Sequence, residues 1–169
     1  NTQIDQGLCT HTDMAHYGHG TNAAGIAAGN GYSINKYEGM APKADIIVVA
    51  LDFNRPGFTI ADAVQYIVSK SQLLNKPLVI NASVGDYYGS HDGTDLEAQL
   101  IDNMIKNTPG RALVAACGNG GGAAFHIGYN IVTTDTNFTW IRNNSSIINL
   151  SEYADTNQIK NVKYSISVT

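Results

Sequence analysis

The sequence has few basic residues and no long apolar run, and each shortage excludes a class of function. Ten lysines and arginines against 14 aspartates and glutamates give the 169-residue chain a net charge of −4. No basic patch for nucleic acid or an anionic membrane is therefore indicated. The longest apolar run, ADIIVVAL, is far shorter than the roughly 20 residues that span a bilayer. We expect neither a nucleic-acid partner nor a membrane partner.

Cysteine is also scarce, with only Cys9 and Cys117 in the chain. Two cysteines exclude a framework of several disulfides. Cys117 ends an apolar run, where a buried free thiol is the expected state. The chain begins at Asn1 and has no leader pattern, which carries no information on location.

Three short, continuously apolar runs have the character of parallel strands buried on both faces. They are residues 44–52, 76–84 and 111–118. Asn81 lies within the second run and is therefore expected to be buried.

Two helical patterns separate these runs. The first extends from Thr59 to about Asn75, and the second starts at Thr94, which forms a predicted capping box with Glu97. The apolar face predicted for the first helix consists of Ile60, Val64, Ile67, Ser71 and Leu74. The alternation of strands and helices predicts an α/β fold with a parallel sheet flanked by helices. Ligands of such folds bind at the carboxyl ends of the strands.

The composition and the hydrophobic pattern of the sequence change after Gly122. Segments such as NFTWIRNNSSIINLSEY alternate polar and apolar residues without a helical period, which is typical of antiparallel β structure. We therefore predict two units, an α/β unit over residues 1–122 and a β-rich unit over residues 123–169.

The stretch YGHGTNAAGIAAG, residues 17–29, places His19 between two glycines and ahead of a run of small residues. A helix of alanine and glycine buries little apolar area, and each glycine costs about 1 kcal/mol of helix propensity relative to alanine. Such a helix is better explained by the close approach of other groups. His19 is therefore a candidate for a functional site.

Four motifs in series resemble those of the subtilisin-like serine proteases (subtilases, peptidase family S8). They are GHGTNAAGIAAGNG, YEGMAPKADIIVVALD, VINASVGD and LVAACGNGGG, which together cover roughly residues 17–122. The resemblance implies that residues 1–122 are part of a subtilisin-like catalytic domain. It is strongest to bacterial members with a β-rich insertion between the asparagine and serine motifs, and residues 123–169 would begin that insertion.

The resemblance also assigns roles to individual residues. His19 matches the general-base histidine, which opens a buried helix in these enzymes, and Asn119 matches the asparagine that helps to hold the oxyanion. Ser83, Val84 and Gly85 match the segment that pairs with the substrate backbone. Acyl transfer needs an imidazole near a hydroxyl and a neutral donor at the developing oxyanion. The implied substrate is a peptide or protein, with no cofactor, and the family favours a secreted or cell-envelope location.

The catalytic set is incomplete in this sequence. Subtilases order their triad as Asp, His, Ser, but the Gly-Thr-Ser-Met-Ala serine motif is absent. Asp5 lies only 14 residues before His19 and better fits a helical insertion. We therefore expect the central fragment of a serine endopeptidase, inactive alone, that needs the remaining segments with Asp and Ser. The alternative is a catalytically dead binding or regulatory protein, a pseudoprotease.

Two other kinds of site have partial support in the sequence. His11, Asp13, His16 and His19 are close enough in sequence to hold zinc, but their spacing matches no standard metal-binding pair. The segment GNGGG lacks the spacing and the following helix of a dinucleotide-binding loop. The sequence therefore predicts no metal site and no nucleotide cofactor.

Overall fold

The computed structural model describes most of the first 124 residues and scattered segments beyond them. The described residues are 18–51, 53, 59–124, 126–128, 136–142, 146–148, 150–153, 156–157, 160, 163 and 165–167. They contain three helices and two strands: α1 (His19–Ala28), α2 (Ile60–Leu74), β1 (Leu78–Ala82), α3 (Leu96–Ile105) and β2 (Arg111–Ala115). None of these helices is long and apolar enough to cross a bilayer.

The two strands form a parallel pair, with α3 in the connection between them. Leu78 lies opposite Arg111, and the register continues to Ala82 opposite Ala115. The ladder extends one residue further, because the Ala116 N–H donates to the Ala82 carbonyl at 3.1 Å. These strands lie within the predicted runs 76–84 and 111–118. The predicted α/β fold with a parallel sheet flanked by helices is confirmed.

Helix α2 begins and ends close to the predicted positions. Thr59 and Asp62 form a capping box, in which each side chain accepts a hydrogen bond from the backbone N–H of the other residue. Asn75 ends the helix in the left-handed region, at φ 50°. The buried stripe differs from the predicted one and consists of Ala61, Val64, Val68 and Ser71. Leu74 is 55% exposed, so its predicted place in the core is wrong.

The core lies between the helices and one face of the sheet. Val64 and Val68 of α2 pack against Leu78 and Ile80 of β1. Around this cluster lie partly buried apolar side chains of both helices and both strands: Ile60, Ile67, Ile101, Met104, Ile105 and Leu113. The removal of this apolar surface from water is what holds α2 and α3 on the sheet.

The predicted capping box of α3 is wrong. Asp95 is the N-cap, and its carboxylate accepts from the Ala98 N–H at 2.9 Å. An aspartate is at least as good an N-cap as a threonine, and here it lies one residue nearer the helix than Thr94. The Glu97 carboxylate instead accepts from the Ala61 N–H at 3.0 Å. It thereby satisfies a free donor in the first turn of α2.

The opposite face of the sheet has no such cover among the described residues. Side chains alternate between the two faces of a strand, and Val79 and Val114 are 74% and 58% exposed. Asn81 is also exposed. The predictions that these strands are buried on both faces, and that Asn81 is buried, are therefore wrong for the described part of the chain.

The first apolar run is not a strand in its described part, residues 44–51. Ile46 and Val48 are 56% and 75% exposed. An ion pair between Asp45 and Lys76 holds the start of this run beside the start of β1. A strand needs ladder hydrogen bonds from a neighbour, and these bonds are not made within residues 44–51. The strand prediction for residues 44–51 is wrong.

The region after Gly122 contains no strand within its described segments. Much of the predicted β-rich unit lies outside the described residues. The division into residues 1–122 and 123–169 therefore stays a prediction.

Helix α1 is fastened at its carboxyl end by a backbone strap, residues 39–41. The N–H groups of Gly39, Met40 and Ala41 donate to helix-end carbonyls, at 2.7 Å to Gly29, 3.1 Å to Ile26 and 2.9 Å to Ala27. This strap satisfies acceptors that a helix end leaves free. It also explains the glycine at position 39, since the two backbones are in contact there. None of the helix residues is buried, so the buried helix implied by the resemblance is not what the described residues form.

The Gly39→Ala variant tests this close approach. A Cβ atom at Gly39 would lie 2.6 Å from the Gly29 nitrogen and 2.7 Å from both the Ala28 nitrogen and the Gly25 oxygen. These are backbone atoms, so the strap must move away. We expect a loss of about 1–3 kcal/mol in the free energy of unfolding, measured by urea titration.

Gly121→Ala is the matched control for this variant. A Cβ atom there meets nothing within 4 Å, so a change of less than about 0.5 kcal/mol is expected. Equal unfolding free energies for the two variants would contradict the strap.

Candidate active site

His19 is the first residue of α1 and lies on an open groove between that helix and the carboxyl end of β1. Gly18 precedes it in the left-handed region, at φ 71°, a conformation that glycine adopts without strain. The groove has a volume of about 350 Å³. Its described lining residues are His19, Asn22, Ala23, Ile26, Ala27, Met40, Asn81 and Ser83.

The two sides of this groove differ in chemistry. Helix α1 contributes His19 and Asn22, with the apolar residues Ala23, Ile26 and Ala27 beyond them. The β1 side contributes a polar pair, in which the Asn81 Nδ2 donates to the Ser83 Oγ at 2.9 Å. His19 and Ser83 were predicted from widely separated motifs, and the structure brings them to one groove.

The rest of the predicted substrate-binding segment lies outside the groove. Val84 is half-buried and Gly85 is exposed, and neither is among the described lining residues. Asp86 follows, and its carboxylate accepts from the Tyr88 N–H at 2.9 Å. The chain therefore turns directly after the three residues 83–85.

Asn119 lies in the loop that follows β2, at the same end of the sheet. Because β1 and β2 are parallel and Ala82 pairs with Ala115, both strands finish at the same end of the sheet. Gly118 adopts a positive φ of 86°, and Asn119 is exposed. Asn119 is not among the described lining residues of the His19 groove. Cys117, also in this loop, is free and exposed, so the prediction of a buried thiol is wrong.

Tyr87 joins the loop after β1 to the loop after β2. Its hydroxyl oxygen accepts a hydrogen bond from the Gly120 N–H. The same oxygen lies 2.8 Å from where a Cβ atom on Gly118 would stand. None of the sequence motifs includes Tyr87. The available signal was a pair of tyrosines, Tyr87 and Tyr88, in a stretch rich in glycine, aspartate and serine.

A tight turn of residues 90–94 separates Tyr87 from α3. Hydrogen bonds from Ser90 and from the side chain and backbone of Thr94 lower the pKa of Asp92 to about 2. The Thr94 hydroxyl donates to this carboxylate at 2.7 Å and the Thr94 N–H at 2.9 Å. These hydrogen bonds favour the charged form of the Asp92 carboxylate.

No group of three or more metal-ligating side chains occurs among the described residues. Three of the four residues of the zinc alternative, His11, Asp13 and His16, lie outside that part of the chain. Asp5 and Cys9 lie outside it too. The prediction of no metal site, and the exclusion of Asp5 from the triad, stay predictions.

A family model described as "Subtilase family" matches residues 4–168. The chain therefore belongs to the subtilase family of serine peptidases. Among curated proteins it is similar to a subtilisin from Bacillus sp. (strain TA39), with 33% identity over 117 residues, which cover 66% of this chain and 26% of the relative. The matched region thus spans about a quarter of the length of that relative. No solved structure matches the chain significantly.

Proposed function

We propose that this chain is the part of a serine endopeptidase that supplies the general base and the oxyanion-binding asparagine. The observation that carries the proposal is the groove in which His19, from the first motif, lies with Ser83, from the end of β1. Membership of the subtilase family supports the reaction class.

The proposed reaction is the hydrolysis of a peptide bond through an acyl-enzyme. A serine hydroxyl attacks the carbonyl carbon while the His19 imidazole takes the hydroxyl proton. The carbonyl oxygen becomes an oxyanion and accepts a hydrogen bond from the Asn119 amide. The C–N bond then breaks, and His19 passes the proton to the leaving amine. Water repeats the sequence on the acyl-enzyme and releases the carboxylic acid.

Ser83, Val84 and Gly85 are proposed to bind the substrate backbone. Ser83 lines the groove, and Val84 and Gly85 continue the chain from it beyond Ala82, the last residue of β1 that pairs with β2. An extended peptide laid along them gains main-chain hydrogen bonds, whereas pockets for alternate side chains give specificity. The proposed substrate is therefore an extended peptide or protein segment, with no cofactor required.

The serine nucleophile and the orienting aspartate are proposed to come from segments outside these 169 residues. The serine motif is absent from this sequence, and Ser83 and Ser90 precede the asparagine motif, whereas a subtilase serine follows it. Those segments would be obligatory partners of this chain, and the chain alone would be inactive.

Labelling with a fluorophosphonate probe tests this division of roles. The probe reacts with an activated serine hydroxyl, so the intact protein should be labelled and the 169-residue chain should not. Peptide mapping of the labelled protein identifies the modified serine.

A labelled 169-residue chain would overturn the proposed origin of the nucleophile. An intact protein that is neither labelled nor active would favour the alternative of a pseudoprotease, which binds but does not cleave.

A further inference from the structure

We propose that Tyr87 is a positioning residue that holds the 118–120 loop so that Asn119 faces the reacting carbonyl. This inference rests on the proposed function and adds a residue that none of the four motifs assigns a role. The Tyr87 side chain contacts the loop on both sides of Asn119.

The first contact is the hydrogen bond from the Gly120 N–H to the Tyr87 hydroxyl. The second is the packing of the tyrosine against Gly118, where an added Cβ atom would lie 2.8 Å from the hydroxyl and 3.2 Å from the ring carbon that bears it. Tyr87 therefore contacts the residue before Asn119 and the residue after it. The position of Asn119 between them is fixed relative to the loop after β1.

The sequence of this loop gives it little rigidity of its own, so a contact from outside is needed to order it. Asn119 lies between two glycines, which lose more conformational freedom on ordering than any other residue. The β-ladder ends with the Ala116 N–H, and the next backbone–backbone hydrogen bond within the described part of the chain joins the Ala123 N–H to the Gly120 carbonyl at 2.8 Å. The Tyr87 hydroxyl ties Gly120 back to the neighbouring strand end. An oxyanion donor acts through preorganisation, so its orientation must be set before the reaction.

Tyr87 is itself held in place by the turn that follows it. The Tyr87 carbonyl lies 3.0 Å from the Nε2 of His91. On the other side, the Asp86 carboxylate accepts from the Tyr88 N–H. These local hydrogen bonds fix the backbone at position 87, so that the ring can act as a rigid spacer between the two loops.

The Tyr87→Phe variant removes the hydroxyl and keeps the ring. We expect kcat of the intact protease to fall about 10-fold, with KM changed less than twofold, because the loss concerns only the oxyanion donor. In the 169-residue chain, the Gly120 amide proton should exchange with solvent faster in the variant, as measured by NMR. Tyr88→Phe is the matched control, since Tyr88 is the next residue and is 72% exposed.

A double-mutant cycle with Asn119→Ala separates positioning from a general effect on the fold. If Tyr87 acts through Asn119, the Tyr87→Phe change should lower kcat less than twofold once Asn119 is alanine. An equal 10-fold loss in both backgrounds would overturn the inference.

The outcomes also separate this inference from the proposed function. If Asn119→Ala lowers kcat and Tyr87→Phe does not, Tyr87 has no positioning role and the proposed function stands. If Asn119→Ala leaves kcat unchanged, the oxyanion role and the inference both fail. An unchanged Gly120 exchange rate in Tyr87→Phe would also overturn the inference, independently of activity.

Discussion

His19→Ala in the intact protein is expected to lower kcat by about 10⁴-fold or more. In the proposed mechanism, the imidazole takes the proton of the nucleophile and returns it to the leaving amine. Removing one member of such a catalytic unit abolishes nearly all of the rate enhancement that the unit provides. His19 lies at the exposed start of α1, so its removal leaves no buried cavity. Steady-state hydrolysis of a peptide substrate and the rate of fluorophosphonate labelling should fall together.

The control for this prediction lies just beyond the other end of α1 and is not among the described lining residues of the groove. Asn30 follows α1 and its side chain accepts from the Tyr32 N–H at 3.1 Å. Asn30→Ala should change kcat less than twofold. A His19→Ala protein that retains at least a tenth of the wild-type kcat would contradict the assignment of the general base.

Asn119→Ala is expected to lower kcat by about 100- to 1,000-fold, with little change in KM. In the proposed mechanism, the carbonyl oxygen that accepts from the Asn119 amide carries a full negative charge only once it has become an oxyanion. Loss of the amide therefore weakens binding of the transition state and has little effect on binding of the substrate. Asn119→Asp should lose at least as much activity, because a carboxylate of the same shape repels the oxyanion. The measurement is kcat and KM for both variants on one peptide substrate.

Asn103→Ala provides the comparison for this second prediction. Asn103 is an exposed asparagine of α3, and its removal should leave both constants within twofold of wild type. If Asn119→Ala mainly raised KM and left kcat unchanged, Asn119 would be a substrate-binding residue without an oxyanion role.

The elements that could be predicted from the sequence are those set by local rules. Helix α2 was expected from Thr59 to about Asn75 and extends over Ile60–Leu74, because its apolar period and its capping threonine lie within the segment itself. The start of α3 shows the limit of the same rules. Thr94 and Asp95 are adjacent candidates for one cap, and the rules rank them closely.

The features that the sequence did not reveal depend on distant partners. Residues 44–51 have the composition of a buried strand, but composition does not show whether a neighbour completes the ladder. The hydrogen bond between Tyr87 and Gly120 joins residues 33 apart, and no periodicity or spacing rule relates them. The family motifs implied that His19 and Asn119 face one groove at the ends of the strands. Ser83 lines the groove with His19, whereas Asn119 is not among its described lining residues.

The strap of residues 39–41 does not require a particular side chain at position 40. Its three hydrogen bonds to α1 are all made by main-chain N–H groups, so they do not depend on the side chain at position 40. Met40 nevertheless lines the groove beside His19. A substitution at position 40 therefore changes a wall of the groove while the main-chain hydrogen bonds that anchor α1 remain.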